Sequence, residues 1–554
     1  MSSIKKMATP CTSNLTSGFI DLATFDELEK YMYGGPDATA YFVRETRKST
    51  WFTQVPVILS RASGTPQFDQ EWSVTISRAG DYLLQTWLRL CTPEICPVTT
   101  VQGKQAGPTG SFGLRWTKNF MHNLIRDCCI TFNDLVAARF DNYHLDFWTS
   151  FTVPASKWNG YSNMIGNIDS LVTVQGNALQ GKGPNDAYRW NDADSTPKGD
   201  AYFANRRWME YGCIPQATLN LPLPFFFSRD SGVALPTAAL PYNDMRINFA
   251  FRPWECLLVK QYLLLSQMEQ AKVGVNKDDP TIATGTYKGI YVGNASQDDI
   301  QGSAPTLTNV QVWGNYAIVS NDERKRMACA PRDILIEQVQ TAPKQTYNPN
   351  TNGVPSYDIR FSHAIKVLFF AVRNSTMPAE YSNYTTTSPT LVGYTGRVTT
   401  QGSGYFDPIY ATSLIYENTN RLAQMGSDYY SLINPYYNAL RIPDATGYHM
   451  YSYSLDFLCL DPMGSTNYGK LTNVSIVPEA STCAVEANAS TTNQGKGGVV
   501  DDSNGGTQPP GSQTPSHCWV RYGNDFRQSY EFVVTVVNNN IIRISGGALG
   551  FPVL

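Results

Sequence analysis

The chain has 554 residues, with 43 Lys+Arg against 46 Asp+Glu, a net charge of −3, 16% charged residues and 12% aromatic residues. With 42% hydrophobic residues it is not a disordered chain. The near-neutral balance gives no basic face for nucleic acid, so no direct nucleic-acid binding is expected. Charge well under the usual ~25% leaves a surface of Asn, Gln, Ser, Thr and Tyr, which suits contact with other surfaces because neutral polar groups cost less to desolvate. One domain per ~150 residues would give three to four domains.

In chain order, the first eighteen residues carry two lysines without an apolar stretch behind them, so no secretory signal is expected. Thr24-Phe-Asp-Glu27 fits a capping box ahead of a short helix with Phe25, Leu28, Tyr31 and Met32 on one face, stopped by Gly34-Gly35. TWFTQVPVIL (50–59), WSVTISR (72–78), DYLLQTWLRL (81–90) and CCITF (128–132) then read as strands, with Asn133-Asp134 as a turn. Asp141–Phe151 predicts a helix with Leu145, Trp148 and Phe151 near one stripe.

GNALQGKG (176–183), after a strand-like SLVTVQ (170–175), has Gly176, Gly181 and Lys182 at phosphate-loop spacing. Gly183 stands where the Mg²⁺-binding hydroxyl belongs, so a plain loop is the better reading. Residues 176–215 are rich in Gly, Asp, Asn and Trp/Tyr. The uncharged stretch 212–227 contains Pro215, Pro222 and Pro224 and is too short to cross a membrane. DMRINFAF (244–251) alternates with period two. Residues 258–305 read as a connector, and the state of its apolar run VKQYLLL (259–265) stays open.

TNVQVWGNYAIVS (308–320) reads as a strand, and Ser320-Asn-Asp-Glu323 as a capping box opening a basic helix with Arg324, Lys325 and Arg326. Three cations supply too few phosphate contacts, so this helix reads as a solvated face or a partner for carboxylates. YDIRF (357–361), AIKVLFFAV (364–372), YHMYSYSLDFLCL (448–460) and YEFVVTVV (530–537) complete the strands. Residues 484–516 are nearly free of large apolar groups. Many short strands with few helices argue for an all-β antiparallel sandwich or jelly-roll architecture.

The residues point to no catalytic, cofactor or metal site. The five histidines, His122, His144, His363, His449 and His517, form no i, i+4 pair, and no HExxH, GxSxG or CxxC occurs. The eleven cysteines, without a signal peptide, are expected as reduced thiols. Asp501-Asp502 reads as part of a surface loop.

Several long blocks carry a family resemblance. They include SGFIDLATFDELEKYMYGG (17–35), YFVRETRKSTWFTQVPV (41–57), FMHNLIRDCCITFNDLVAARFDNYHLDFW (120–148) and LNLPLPFFFSRDSGVALPTAALPYNDMRINF (219–249). VWGNYAIVSNDERKRMACAPRDILIEQVQTAP (312–343), YDIRFSHAIKVLFFAVRN (357–374), LIYENTNRLAQMGSDYYSLINPYYN (414–438) and NNNIIRISGGALGFPVL (538–554) continue it. In this order the chain resembles the major capsid proteins of nucleocytoplasmic large double-stranded DNA viruses, most closely those of the iridovirus group.

The resemblance implies a double jelly roll, two consecutive antiparallel eight-stranded barrels with few short helices and long loops. The boundaries would be an N-terminal arm at 1–40, a first jelly roll at 41–255 with an insertion at 176–215, a connector at 256–305, and a second jelly roll at 306–554 with an insertion at 484–520. It further implies a non-enzymatic homotrimer with a pseudo-hexagonal outline, tiling an icosahedral shell beside neighbouring capsomers. The arm would meet minor capsid proteins and the internal membrane, the outer loops a host receptor or glycan, and the protein would sit in virions assembled in the host cytoplasm. The alternative from the residues alone is a β-sandwich carbohydrate-binding or carbohydrate-active protein, with Tyr188, Trp190 and Trp208 as the first aromatic residues to test.

Overall fold

The computed structural model describes residues 10–97, 112–172, 213–264, 287–349, 353–376, 378–386, 407–488, 500–501 and 528–551. In the first half the framework strands are β1 (Phe52–Ile58), β2 (Glu71–Thr75), β3 (Tyr82–Cys91), β4 (Ile125–Phe132), β5 (Leu135–Phe140), β6 (Thr218–Pro222), β7 (Met245–Phe251) and β8 (Thr308–Val319). They form antiparallel sheets ordered β1-β8-β3-β6 and β2-β7-β4-β5.

In the second half they are β9 (Arg332–Thr341), β10 (Tyr357–Asp358), β11 (Ala364–Asn374), β12 (Ile409–Tyr416), β13 (Thr419–Gly426), β14 (His449–Ser452), β15 (Val474–Ala480) and β16 (Tyr530–Ser545). Their orders are β9-β16-β11-β14 and β10-β15-β12-β13. Adding eight to each strand number turns one half into the other. Each half is a jelly roll, and the fold is the expected double one.

Local chemistry explains the strands. β7 alternates buried and half-buried along its length, as a strand with one core face must. The β4–β5 and β12–β13 hairpins turn on Asn133-Asp134 (φ 49° and 64°) and Glu417-Asn418 (φ 47° and 62°), two left-handed residues each, whose backbone twist matches that of the flanking strands. One core gathers Leu88, Trp116, Phe132, Ile247 and Phe249; a second gathers Tyr357, Phe370, Leu414, Ile476 and Phe532.

Several findings extend or differ from the sequence reading. β8, expected to open the second roll at residue 306, pairs with β1 and β3 and closes the first. A jelly roll's first strand needs its last beside it, and the connector merely delays β8's arrival. The run 259–265, whose state the sequence leaves open, contributes a strand, Leu258–Leu264, paired with Phe112–Trp116 and Tyr287–Asn294. Of the run 170–175, the described residues 170–172 belong to a short helix, Asp169–Val172, and not to a strand. Finally, Cys96 and Cys213 are disulfide-bonded across 117 residues, correcting the expectation of reduced thiols for this pair. The bridge between Ile95 and Ile214 lays the two chain segments side by side, with the cysteine Cα atoms 4.2 Å apart.

Residues 1–51 form a unit of their own, with helices α1 (Pro10–Ala23) and α2 (Glu27–Met32). The cap of α2 is Asp26, whose carboxylate accepts from Glu27 N, and not Thr24. α1 runs to Ala23, and the Thr24 hydroxyl is spent on Asp21 O. Leu15, Phe19, Leu22, Phe25, Leu28 and Tyr31 are all exposed.

Candidate assembly surfaces

The two rolls are joined by a helix. α3 (Asn142–Thr152) starts at Asp141, whose carboxylate accepts from His144 N at 3.0 Å, and α4 (Ala155–Met164) follows beyond Pro154. Residues 142–151 are all buried, so the expected single stripe is replaced by burial all round. Leu145 enters the first core, while Tyr143, Phe147, Trp148 and Phe151 form a third apolar cluster with Val367, Phe369 and Ala371 of β11 and with Val533 and Val537 of β16. Phe369 is its centre, with ring centroids 6.2 Å from Phe147, 6.4 Å from Trp148 and 5.4 Å from Phe151. β11 is therefore buried on both faces, one in its own roll and one against α3, which is why its sequence is apolar without alternation.

Charges close the same seam. Glu337 of β9 forms an ion pair with Arg229 from the first half at 2.7 Å and accepts from Lys366 of β11 at 2.5 Å. Arg229 also lies 4.2 Å over the Trp148 ring, in cation–π range. Arg115 pairs with Glu380, and Asp146 of α3 accepts from Ser382 at 2.7 Å and Tyr384 at 2.9 Å in the second half. Buried ions persist only when paired in this way.

The chemistry-bearing residues are absorbed by structure. His122 Nδ1 contacts Asp146 at 2.7 Å and its Nε2 contacts Tyr161 at 2.6 Å. His144 stacks 5.8 Å from Trp148, and burial plus nearby Arg229 depress its pKa to about 3, keeping it neutral. Ser427, His449 and Asp407 meet in the second roll, but both partners contact Nε2, whereas a catalytic triad needs its acid on Nδ1. All three are buried.

Of the basic helix α5 (Asn321–Cys329), Arg324 pairs with Asp81 at 2.9 Å, while Lys325 and Arg326 are exposed. Burial would raise the Asp81 carboxyl pKa, but Arg324 and the Val319 N–H outweigh it and hold it below its ordinary value. Asp501 pairs in a strand with Tyr287. Among the described residues the grouping with metal-ligand spacing is Glu94, Cys96 and Cys213, whose sulfurs are in the disulfide. The glycine loop 176–183, Tyr188, Trp190, Trp208, Asp502 and His517 lie outside the described residues.

Besides the arm, two places among the described residues leave apolar surface open. The register Ile58↔Trp313↔Trp87↔Pro222 runs one row of side chains across all four strands of the β1-β8-β3-β6 sheet. Trp87 and Trp313 stack at 6.2 Å with their planes 6° apart, both half-buried, and Ile58 and Pro222 are exposed. The row ends in a cleft of about 590 Å³ walled by Trp87, Trp148, Tyr161, Met164 and Pro222. The second place is the helix 427–438, a π-turn (Tyr429–Ile433) running into α6 (Asn434–Asn438). There Tyr436 is 70% and Tyr437 77% exposed, beside exposed Ile433 and Leu440.

These features have counterparts among known proteins. The fold is similar to a chain of the PBCV-1 virus capsid, with a TM-score of 0.60 at 16% identity, covering 93% of this chain and 100% of that one. It is also similar to the Faustovirus major capsid protein, with a TM-score of 0.57 at 12% identity, covering 96% and 97%. The architecture is thus that of double jelly-roll viral capsid proteins.

In sequence, residues 40–319 match the family described as "Major capsid protein N-terminus" and residues 323–504 that described as "Large eukaryotic DNA virus major capsid protein". The major capsid protein of Costelytra zealandica iridescent virus is 58% identical over 543 residues, covering 98% of this chain and 99% of that protein. The chain belongs to the family of major capsid proteins of large eukaryotic DNA viruses. Its role is structural: it is a component of the virion capsid that associates with its own kind into the shell.

Proposed function

We propose that the chain acts as a homotrimer with a pseudo-hexagonal outline, packed beside neighbouring capsomers in an icosahedral shell. The observation that carries this is the internal repeat: two rolls of identical strand order in one chain. Three copies supply six equivalent rolls, which can close a ring, and closed point-group symmetry is the rule for such assemblies. On strand pairing, the first roll spans 52–319 and the second 332–551. The arm, whose apolar side chains are exposed, faces minor capsid proteins and the internal membrane. Host receptor or glycan contact falls to the insertions at 176–215 and 484–520, and assembly takes place in host cytoplasm. Native mass spectrometry of the folded protein tests this reading: three chains of 61.5 kDa give about 185 kDa, and a stable monomer at micromolar concentration overturns it.

A further inference from the structure

We infer that the helix 427–438 of one copy seats on the open outer face of the β1-β8-β3-β6 sheet of the next copy. The aromatic row Ile58–Trp313–Trp87–Pro222 and the cleft at its end would receive it. This rests on the homotrimer reading and adds the residues that close the ring.

The argument comes from the repeat. In the second roll, the outer face of the β9-β16-β11-β14 sheet is covered by α3, which belongs to the first roll. α3 begins directly after the β4–β5 hairpin. Among the described residues the first roll's equivalent sheet, β1-β8-β3-β6, exposes Ile58, Gln85 and Arg89 on its outer face, and α3 and α4 wall only its β6 end, at the cleft. The equivalent of α3 in the second roll is the helix 427–438, which begins directly after the β12–β13 hairpin, a hairpin built on the same kind of two-residue left-handed turn.

So the chain contains one complete helix-on-sheet joint and the two unmatched halves of a second. The halves lie on opposite rolls of one chain, so only another copy can bring them together as the first joint is arranged.

The chemistry of the halves agrees. α3 offers aromatic side chains to a sheet centred on Phe369 of β11. The helix 427–438 offers Tyr436, Tyr437 and Ile433, with Leu440 just beyond it. The equivalent of β11 is β3, and its outward residue Trp87 stands beside Trp313 with the cleft open next to it. Trp, Tyr and Met surfaces of this kind form the energetic centres of protein interfaces. The row itself carries no charge, so copies meet there without like-charge repulsion. The contact is heterologous, helix to sheet, and such contacts generate rings when the rotation closes.

The test uses full-length folded protein, with circular dichroism confirming that each variant keeps its strand content. The helix variant carries Tyr436→Asp and Tyr437→Asp, both at exposed positions. The sheet variant is Trp87→Asp, with Ile58→Asp at an exposed edge position as its backup. Each variant alone should lose the 185 kDa trimer and run as a monomer.

An equimolar mixture of helix and sheet variants retains one good contact per pair. It should yield a heterodimer of two chains and no closed trimer. Variants that remain trimeric while wild type is trimeric overturn this inference and leave the homotrimer intact. A monomeric wild type overturns the homotrimer reading itself.

Discussion

The seam between the rolls should weaken in acid through His144. The ring is 2% exposed, stacks on Trp148, and its Nδ1 has no hydrogen-bond partner among the described residues. Burial and Arg229 hold its pKa at about 3, against 6.5 in the unfolded chain. The sign follows from linkage: the folded value lies below the unfolded one, so on acidification the unfolded chain takes up the proton first. Stability is complete above pH 6.5 and is lost as pH falls toward 3. At pH 5.0 the unfolded histidine is almost fully protonated and the folded one neutral. The loss is about 1.5 pH units at 1.36 kcal/mol each, or about 2 kcal/mol. The perturbation is His144→Phe, which keeps a ring against Trp148 and removes the titration. Urea unfolding of wild type and variant at pH 7.5 and 5.0 gives four free energies. The wild type should lose about 2 kcal/mol more than the variant between the two pH values, since every other titrating group is common to both. Parallel pH profiles would refute the assignment of His144 as a buried neutral group.

Three further outcomes follow from the same geometry. Glu337→Gln leaves buried Lys366 and half-buried Arg229 without their shared carboxylate and should cost about 3–5 kcal/mol, read as a lower urea midpoint. Phe369→Ala removes the ring that α3 packs around and should cost about 3–5 kcal/mol, with trypsin cleaving at the seam sooner than in wild type. Cys96→Ser opens a 117-residue loop closure and should cost about 4–5 kcal/mol by chain entropy. A reducing agent should lower the melting temperature of wild type and leave Cys96→Ser unmoved.

Most framework strands were legible because one period-two face suffices to announce them, as in β7. The helix at 142–152 was legible from Leu145, Trp148 and Phe151 near one stripe, but its second buried face was not. A helix flanked by cores on both sides has no polar stripe to read, and Tyr143 and Phe147 matter only because a second roll lies against them. The same cause hid the double burial of β11. The Cys96–Cys213 pair could not be read from local spacing because the contact is made by segments far apart in the chain. The cap expected of Ser320 was not seen either: the Ser320 side chain makes no cap hydrogen bond. Asp81, remote in sequence, takes the Val319 N–H and Arg324 instead. The edge strand β1 was read correctly as a strand, although nearly all its side chains are exposed and Pro56 within it would be out of place in a central strand.

The two equivalent sheets differ in a way that bears on when each joint forms. The outer face of β11 presents Val367, Phe369 and Ala371, all fully buried. The outer face of β3 presents Gln85, Trp87 and Arg89, of which Gln85 and Arg89 are exposed. An intramolecular joint forms as the chain folds, at high effective concentration, and never faces water afterwards. It can be apolar throughout. A face that meets its partner only after folding must stay soluble in the interval, because large exposed apolar patches drive aggregation. Gln85 and Arg89 flanking the aromatic row meet that requirement and leave Trp87 and Trp313 available. Replacing them with the apolar pattern of β11, as in Gln85→Val with Arg89→Ala, should therefore leave the intramolecular seam unchanged and lower the soluble yield of the unassembled chain. Light scattering of freshly folded protein measures this. Equal solubility of variant and wild type would show that the polar residues on this face are not there to protect it before assembly.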